Sequence, residues 1–247
     1  MERWHRKIAV VTGSSAGIGA ATCKALAEKD MIVIGLARRL EKMEEQTRPL
    51  IEEKYRKNFH TYKCDVGDEA NVKEAFAWIE KKFGGIDVLI NNAGISPVAS
   101  LLAADNTKVM KDVVNTNVMG VVWCTREAFQ SMKKRSVDGH IINVNSVAGH
   151  KVPVVPGYGF HMYAPSKHAM TAMTEVLRQE LITQGTKVKV TSVSPGAVRT
   201  EIAGTEYPAH IPALDSKDVA DAIVFCLQTP PHVQIHELMI RPVGEKF

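Results

Sequence analysis

No stretch of this sequence approaches the roughly eighteen uninterrupted apolar residues that a membrane span needs, and no block of like charge stands out along it. Lysine and arginine number 31 against 27 aspartates and glutamates, and they are scattered, so neither nucleic acid nor a membrane surface is an expected partner. Cysteine is scarce as well. The four residues Cys23, Cys64, Cys124 and Cys226 sit far apart and match no metal-ligand or redox-pair spacing, so they read as buried thiols of a reducing compartment with no metal implied. The N-terminal "MERWHRKIAVVTG" runs straight into a strand-like segment without the apolar stretch of a signal peptide, which makes the cytoplasm the expected location. There is no linker, low-complexity segment or break in composition. With 45% hydrophobic and 23% charged residues, the 247 residues are expected to form one soluble domain spanning 1–247.

Apolar β-branched runs alternate with helix-period stretches, the mark of βαβ units. Strands are expected at "KIAVVTG", "MIVIGLA", "FHTYKCDV", "IDVLINNAG", "HIINVNS", "VKVTSVSPG" and "HELMIRPV". Helices are expected from Ile18 to Lys29, Leu40 to Tyr55, Asp68 to Phe83 and Asn106 to Lys134, then from near Tyr163, and from Ser216 to Leu227. Seven near-continuous apolar strands suit a parallel sheet buried on both faces. The fold class is α/β, a doubly wound domain with helices flanking a seven-stranded parallel sheet, and in such folds ligands bind beyond the carboxyl ends of the strands.

After the first strand comes "TGSSAGIG". Gly13 suits the tight turn out of the strand, Gly17 lets backbone approach a phosphate, and Gly19 lets the helix pack closely on the sheet. Ser14 and Ser15 add hydroxyl donors at a helix N-terminus that favours negative charge, so a pyrophosphate is the natural guest. Where a cofactor with a free ribose 2′-hydroxyl would call for an acidic residue, "GLARRLEK" places Arg38 and Arg39, which suit a 2′-phosphate. The plainer alternative is an exposed helix start, with Glu41 and Glu44 as surface partners. Asp65 in "KCDV" could accept from an adenine amino group, and Asn92 and Gly94 in "NNAG" leave room for a ribose; each also suits ordinary turn chemistry.

"HMYAPSKHAM" places Tyr163 and Lys167 four residues apart, on one face of a helix. A free phenol, with a pKa of about 10, is a poor base at neutral pH, but a nearby ammonium and an oxidised nicotinamide both favour phenolate. Such a tyrosine can accept the proton of an alcohol or protonate a carbonyl under reduction. Ser146, in "INVNSVAG", is placed to hydrogen-bond the same substrate oxygen, or else to cap the turn that follows it. Packing of Tyr163 on the Lys167 stem is the structural alternative for that pair.

"TGSSAGIG", "NNAG", the serine of "INVNS", "YAPSK" and "PGAVRT" occur in the order and at the chain positions of the short-chain dehydrogenase/reductase family, which the chain resembles over essentially its whole length. The resemblance implies a Rossmann-type domain and NADP as cofactor. It implies Tyr163 as acid/base, Lys167 as the residue that lowers its pKa and binds the nicotinamide ribose, Ser146 as the group that orients the substrate oxygen, and Asn117 as support for a water-linked proton relay. Its cofactor-binding set is Gly13, Ser14, Ser15, Gly17, Ile18, Gly19, Arg38, Arg39, Asp65, Val66, Asn92, Gly94, Tyr163, Lys167, Pro195, Gly196, Val198 and Thr200. The resemblance also implies a homodimer or homotetramer built on the long helices after the fourth and fifth strands. The apolar face around Val118, Val122 and Phe129 suits that assembly or packing on the sheet.

"MERW", "CTREAFQSM", "DGHIINVNS" and "TPPHVQIHELMIRPV" look like one NADP-dependent branch of the family, which holds insect farnesol dehydrogenases and vertebrate carbonyl and steroid reductases. That likeness implies oxidation of farnesol or related prenyl and aliphatic alcohols, as in juvenile hormone synthesis. Broad carbonyl or steroid reduction with NADPH is the alternative, and a non-catalytic dinucleotide sensor a second. Two departures from the family pattern bear on substrate. The stretch "HKVPVVPGYGFHM" is long, and offers Val152, Pro153, Val154, Val155, Tyr158, Phe160 and Met162 to an apolar pocket wall; "EIAGTEYPAHIPALDSKD" is short where relatives carry a lid, which suggests an open, elongated site.

Overall fold

The structure, a computed structural model, describes residues 1–154, 159–203 and 212–245. Its sheet has seven parallel strands: β1 (Ile8–Thr12), β2 (Ile32–Ala37), β3 (Phe59–Lys63), β4 (Val88–Asn91), β5 (His140–Val144), β6 (Lys189–Pro195) and β7 (Glu237–Ile240). They are ordered β3-β2-β1-β4-β5-β6-β7, so the direction of winding reverses between β1 and β4. The helices are α1 (Gly17–Ala27), α2 (Leu40–Lys42), α3 (Glu69–Phe83), α4 (Thr107–Val114), α5 (Gly120–Lys134), α6 (Tyr163–Thr183) and α7 (Ser216–Gln228).

Alternation along β1 divides the interior in two. Ala9 and Val11 join Leu26 of α1 and Ile223 and Leu227 of α7 in one core, while Ile8 and Val10 join Ile79 of α3, Met132 of α5 and Leu181 of α6 in the other. Each fully buried aliphatic side chain stabilises by about 1.5–3 kcal/mol, so a doubly covered strand must be apolar on both sides. β1, β2 and β4 follow this along almost their whole length, whereas β5 and β6 are as deeply buried but carry polar residues such as Asn143, Lys189, Thr191 and Ser194. At the two edges the expectation of full burial fails: most of β3 is only half-buried, and β7 alternates exposed and half-buried residues because each has a neighbour on one side only.

The expected helix from Leu40 to Tyr55 does not form as one. α2 passes into a π-turn at Met43–Thr47 and a 3-10 turn at Arg48–Leu50, breaks at the extended Ile51, and resumes as a 3-10 turn at Glu53–Asn58. Pro49 has no N–H to continue the ladder. Burial of Met43, Thr47 and Ile51 holds the segment against the body instead. The expected long helix from Asn106 to Lys134 forms with a π-turn, Asn115–Met119, between α4 and α5. The extra residue in that turn carries Asn117 inside, where it is fully buried.

All four cysteines are buried, as expected. Phe129 packs against the α3–α5–α6 core, and Val122 stays at the surface. Among the described residues no helix is long and apolar enough to cross a membrane.

Candidate active site

The carboxyl ends of β1 to β6 open into one cavity of about 850 Å³. Gly13, Ser15, Gly17, Ile18, Arg38, Arg39, Asp65, Val66, Asn92, Gly94, Ser146, Tyr163, Lys167, Pro195, Gly196, Val198 and Thr200 all line it, although up to 187 positions separate them (200 − 13). Three of the expected residues do not reach it. Ser14 turns away, its hydroxyl fully buried and donating to the Met43 sulfur at 2.9 Å. Gly19 lies behind the turn, where an added Cβ would stand 2.4 Å from the Gly13 carbonyl oxygen; its role is the close packing expected of it. Asn117 lies under the floor, its Oδ1 accepting from Ile95 N at 2.9 Å and its Nδ2 donating to Ile95 O at 3.0 Å and Ser166 Oγ at 3.1 Å.

The glycine-rich turn is held from three sides. Gly13 and Gly17 adopt φ of +68° and +55°, the left-handed region that favours glycine. The Asn92 amide donates to Thr12 O at 2.9 Å and Gly13 O at 3.3 Å, and Thr12 Oγ1 accepts from the backbone N–H groups of Asn92 and Ala93, each at 3.0 Å. From the broken segment after β2, Thr47 donates to Ser14 O at 2.9 Å. The start of α1 is thereby fixed facing the cavity through Ser15, Ala16, Gly17 and Ile18, and the first N–H groups of a helix have no partners within it.

At the same end Arg39 Nη2 donates to Ser15 Oγ at 3.1 Å, and Arg38 lies beside it in the lining. Asp65 Oδ1 accepts from Gly67 N at 2.9 Å, the turn bond that is one of its two readings, and the residue also lines the cavity. A Cβ on Gly94 would come no nearer than 3.5 Å to protein, an ordinary contact, so packing alone does not demand glycine there. The missing side chain enlarges the cavity. These features fit a dinucleotide carrying a 2′-phosphate, with donors and positive charge at one end and backbone exposed in the middle.

At the other end stand Ser146, Tyr163 and Lys167. Tyr163 opens α6, and Lys167 one turn later lies with Nζ 5.7 Å from the centre of the phenol ring. Lys167 is 4% exposed and donates to Val144 O at 2.9 Å. Burial pulls its pKa from 10.5 down to about 8, which leaves the ammonium charged at neutral pH. Ser146 caps the short turn after β5, accepting from Ala148 N at 3.1 Å, and lines the cavity as well. Cys64 also lines the cavity, but burial pushes its thiol up to about 12, so it presents no thiolate.

Among the described residues only part of the expected apolar wall lines the cavity. Pro153 and Phe160 line the cavity, Val152 and Val154 are exposed, Met162 is half-buried outside the lining, and Val155 and Tyr158 fall outside the described residues, as does 204–211 of the short segment after Thr200. Ile95, Pro97, Val147 and Ile202 add to the apolar lining. Pro97 is anchored by His161, whose Nε2 bonds Pro97 O; the ring's Nδ1 accepts from Met162 N at 2.6 Å, which puts the proton on Nε2. Sequence reasoning also missed Glu201 and Glu245. Glu245 Oε1 accepts from Ala197 N at 2.8 Å, fixing the loop after β6 from 48 residues away, a separation no local pattern reports.

A sheet that reverses its winding above a phosphate-favouring turn, with a tyrosine and a buried lysine at the far end of the same cleft, defines a dinucleotide-dependent oxidoreductase class. The chain belongs to the short chain dehydrogenase family, whose model matches residues 7–210. It is 52% identical to a farnesol dehydrogenase of Aedes aegypti over all of both chains. It is 41% identical to dehydrogenase/reductase SDR family member 11 of Mus musculus, over 99% of this chain and 97% of that one. An alcohol dehydrogenase of Thermococcus sibiricus, solved in complex with 5-hydroxy-NADP, superposes with a TM-score of 0.84 at 26% identity, covering 98% of each chain.

Proposed function

We propose that this protein is an NADP-dependent alcohol dehydrogenase that oxidises farnesol and related prenyl or aliphatic alcohols to aldehydes. One observation carries the reading: a single cavity is lined at one end by Ser15, Arg38 and Arg39, and at the other by Ser146, Tyr163 and Lys167. NADP, when bound, supplies the carbon that takes or gives hydride. Arg38 and Arg39 hold its 2′-phosphate, the N-terminus of α1 its pyrophosphate, and Asp65, Asn92 and Gly94 its adenosine and ribose surroundings. Pro195, Gly196, Val198 and Thr200 line the nicotinamide.

Tyr163 Oη takes the alcohol proton, and Ser146 Oγ holds the substrate oxygen in line with it. The Lys167 ammonium, charged because its pKa of about 8 still lies above neutrality, stabilises the phenolate and reaches the nicotinamide ribose. Asn117 acts from beneath by holding the β4 loop against the π-turn and Ser166, and so supports the proton path to Lys167.

The farnesol reading is supported by the 52% full-length likeness and by the apolar lining of Ile95, Pro97, Pro153, Phe160 and Ile202. An apolar wall gains affinity by area, about 25 cal/mol per Å², and one methylene is worth only about 1–3 kcal/mol, so activity should extend across several chain lengths. The test is reduction of NADP⁺ and, separately, NAD⁺ by the purified protein with farnesol, shorter alcohols and a steroid. Fast NADP⁺ reduction with farnesol is the expected result. NADPH consumption with ketones and no signal from any alcohol would move the function to carbonyl reduction on the same residues.

A further inference from the structure

Glu201 lies where the amino-acid pattern suggested nothing. It begins the 3-10 turn Glu201–Ala203 after β6, and its carboxylate bridges two cations of the segment after β2: Arg39 Nη1 at 3.1 Å and, still closer, Lys42 Nζ. The partners are 162 and 159 positions away. Arg39 and Glu201 both line the cavity, and Arg39 uses its other terminal nitrogen on Ser15 Oγ at 3.1 Å. The segments after β2 and β6 therefore meet on one carboxylate, and Arg39 ties them to the turn after β1 through Ser15. Bonds from Lys42 and then Arg39 hold the Glu201 carboxyl below the usual range, with burial opposing them.

Lys42 had no assigned role. Its side chain is 19% exposed, against 55% for Arg39 and 56% for Glu201, so it is the most enclosed of the three and the least free to swing to another partner. A carboxylate presents two charged oxygens to donors much as a phosphate presents three, and both draw guanidinium and ammonium groups into short charge-assisted bonds. Glu201 stands on the group that the NADP reading assigns to the 2′-phosphate.

We infer that Arg39, Lys42 and Glu201 form a cofactor-selecting latch: Lys42 is a further cation for the 2′-phosphate, and the Glu201 carboxylate is its internal competitor, displaced when NADP binds. This rests on the NADP reading of the cavity. Neutralising Glu201 removes the competitor and leaves the cations, so NADP tightens; removing Lys42 costs NADP one contact and leaves NAD, which lacks the phosphate, unaffected. Exposed ion pairs are individually weak, so each effect is of the order of 3- to 10-fold in affinity.

The experiment is calorimetric titration of NADP⁺ and NAD⁺, without substrate, into the wild type, Glu201→Gln, Lys42→Met and the double variant, each first checked for an unchanged melting temperature. The inference expects Glu201→Gln to bind NADP⁺ about 3- to 10-fold tighter with NAD⁺ unchanged. Lys42→Met should bind NADP⁺ weaker by a similar factor, and the double variant should gain less from Glu201→Gln than the wild type does. Unchanged NADP⁺ affinity in both single variants overturns the latch and leaves the NADP reading standing. Weaker NAD⁺ binding in Glu201→Gln, with NADP⁺ unchanged, overturns it too, and makes Glu201 an acceptor for ribose hydroxyls. A wild type that binds NAD⁺ tighter than NADP⁺ sinks both.

Discussion

The two ends of the strands hold similar residues and treat them differently. At the amino ends, Lys189 opens β6, is 4% exposed, and spreads its ammonium over Pro230 O and Val233 O at 2.6 Å each, Thr229 Oγ1 at 3.2 Å and Thr229 O at 3.4 Å. Nearby, Asp87 accepts from Ile8 N at 2.8 Å and pairs with Arg135 at 3.1 Å. At the carboxyl ends Lys167 is equally buried, yet among the described residues it donates to Val144 O alone, and it faces a cavity. An ammonium has three protons to place. Lys189 spends them on the loop that follows α7 and so joins two elements; Lys167 has one such acceptor and lies at the cavity, which suits the ligand-binding role proposed for it. Burial of a charge is costly at either end, and the two lysines differ in how many acceptors offset that cost.

The largest effect that would break this comparison is at Tyr163. Tyr163→Phe should lower turnover by about 10³-fold or more while calorimetric NADP⁺ affinity stays within about twofold, because the hydroxyl moves a proton and packing holds the ring. Retained turnover would return Tyr163 to a packing role.

The two lysines sharpen it next. Lys167→Met should lose about 10²-fold or more in turnover and yet unfold at pH 7 with a free energy about 1–2 kcal/mol higher, since a buried charge is removed. The sign follows from its pKa: folded at about 8 and 10.5 as reference, the wild type binds fewer protons folded than unfolded between those values. Wild-type stability therefore rises with pH across that window, and its deficit against the variant should close there. Lys189→Met should do the reverse, losing about 2 kcal/mol by stranding the carbonyls of 229–233 while turnover per folded molecule is retained. Denaturant titrations with parallel assays decide between these patterns.

Gly19→Ala probes the packing behind the glycine-rich turn. With the Gly13 oxygen 2.4 Å and the Asn92 amide nitrogen 2.6 Å from the new Cβ, the turn must shift, and NADP⁺ affinity should fall about 10-fold by calorimetry.

The smallest effect belongs to His140, at the start of β5. Its Nε2 bonds Thr191 Oγ1 at 2.9 Å, and that hydroxyl donates onward to Ile235 O at 2.7 Å, which makes the ring the donor. Burial, with help from Lys189 and Arg3, lowers its pKa from 6.5 to about 3. The unfolded chain takes up this proton first as pH falls through 6.5, so the folded state loses stability between 6.5 and 3. His140→Gln should flatten that acid limb by about 1–2 kcal/mol, read from melting temperatures across the range. An unaltered limb would show that another group titrates there.

Most of the candidate site was legible in the chain because its signals are local. Glycines after a strand, an asparagine-glycine turn at the next strand end, and a tyrosine and lysine one helical turn apart each answer to geometry within a few residues, and 17 of the 20 expected residues do line the cavity. The misses have physical causes of longer range. Ser14 carries the right hydroxyl, but Met43, 29 positions on, draws it inward. Asn117 depends on a π-turn that helical periodicity averages away. The helix after β2 failed at Pro49, a breaker visible in the sequence, but where its pieces settled depended on burial against α1 and β3.

Strand periodicity and turn chemistry were enough to determine a doubly wound parallel sheet and to point the reactive residues at its carboxyl edge, since both are properties of neighbours along the chain. Tertiary structure alone decided which buried charge is saturated by acceptors and which faces the cavity with one. It also decided that Glu201 meets Arg39 and Lys42 across the mouth of the cavity, because such contacts form only after strands distant in sequence lie side by side, where electrostatics acts through space.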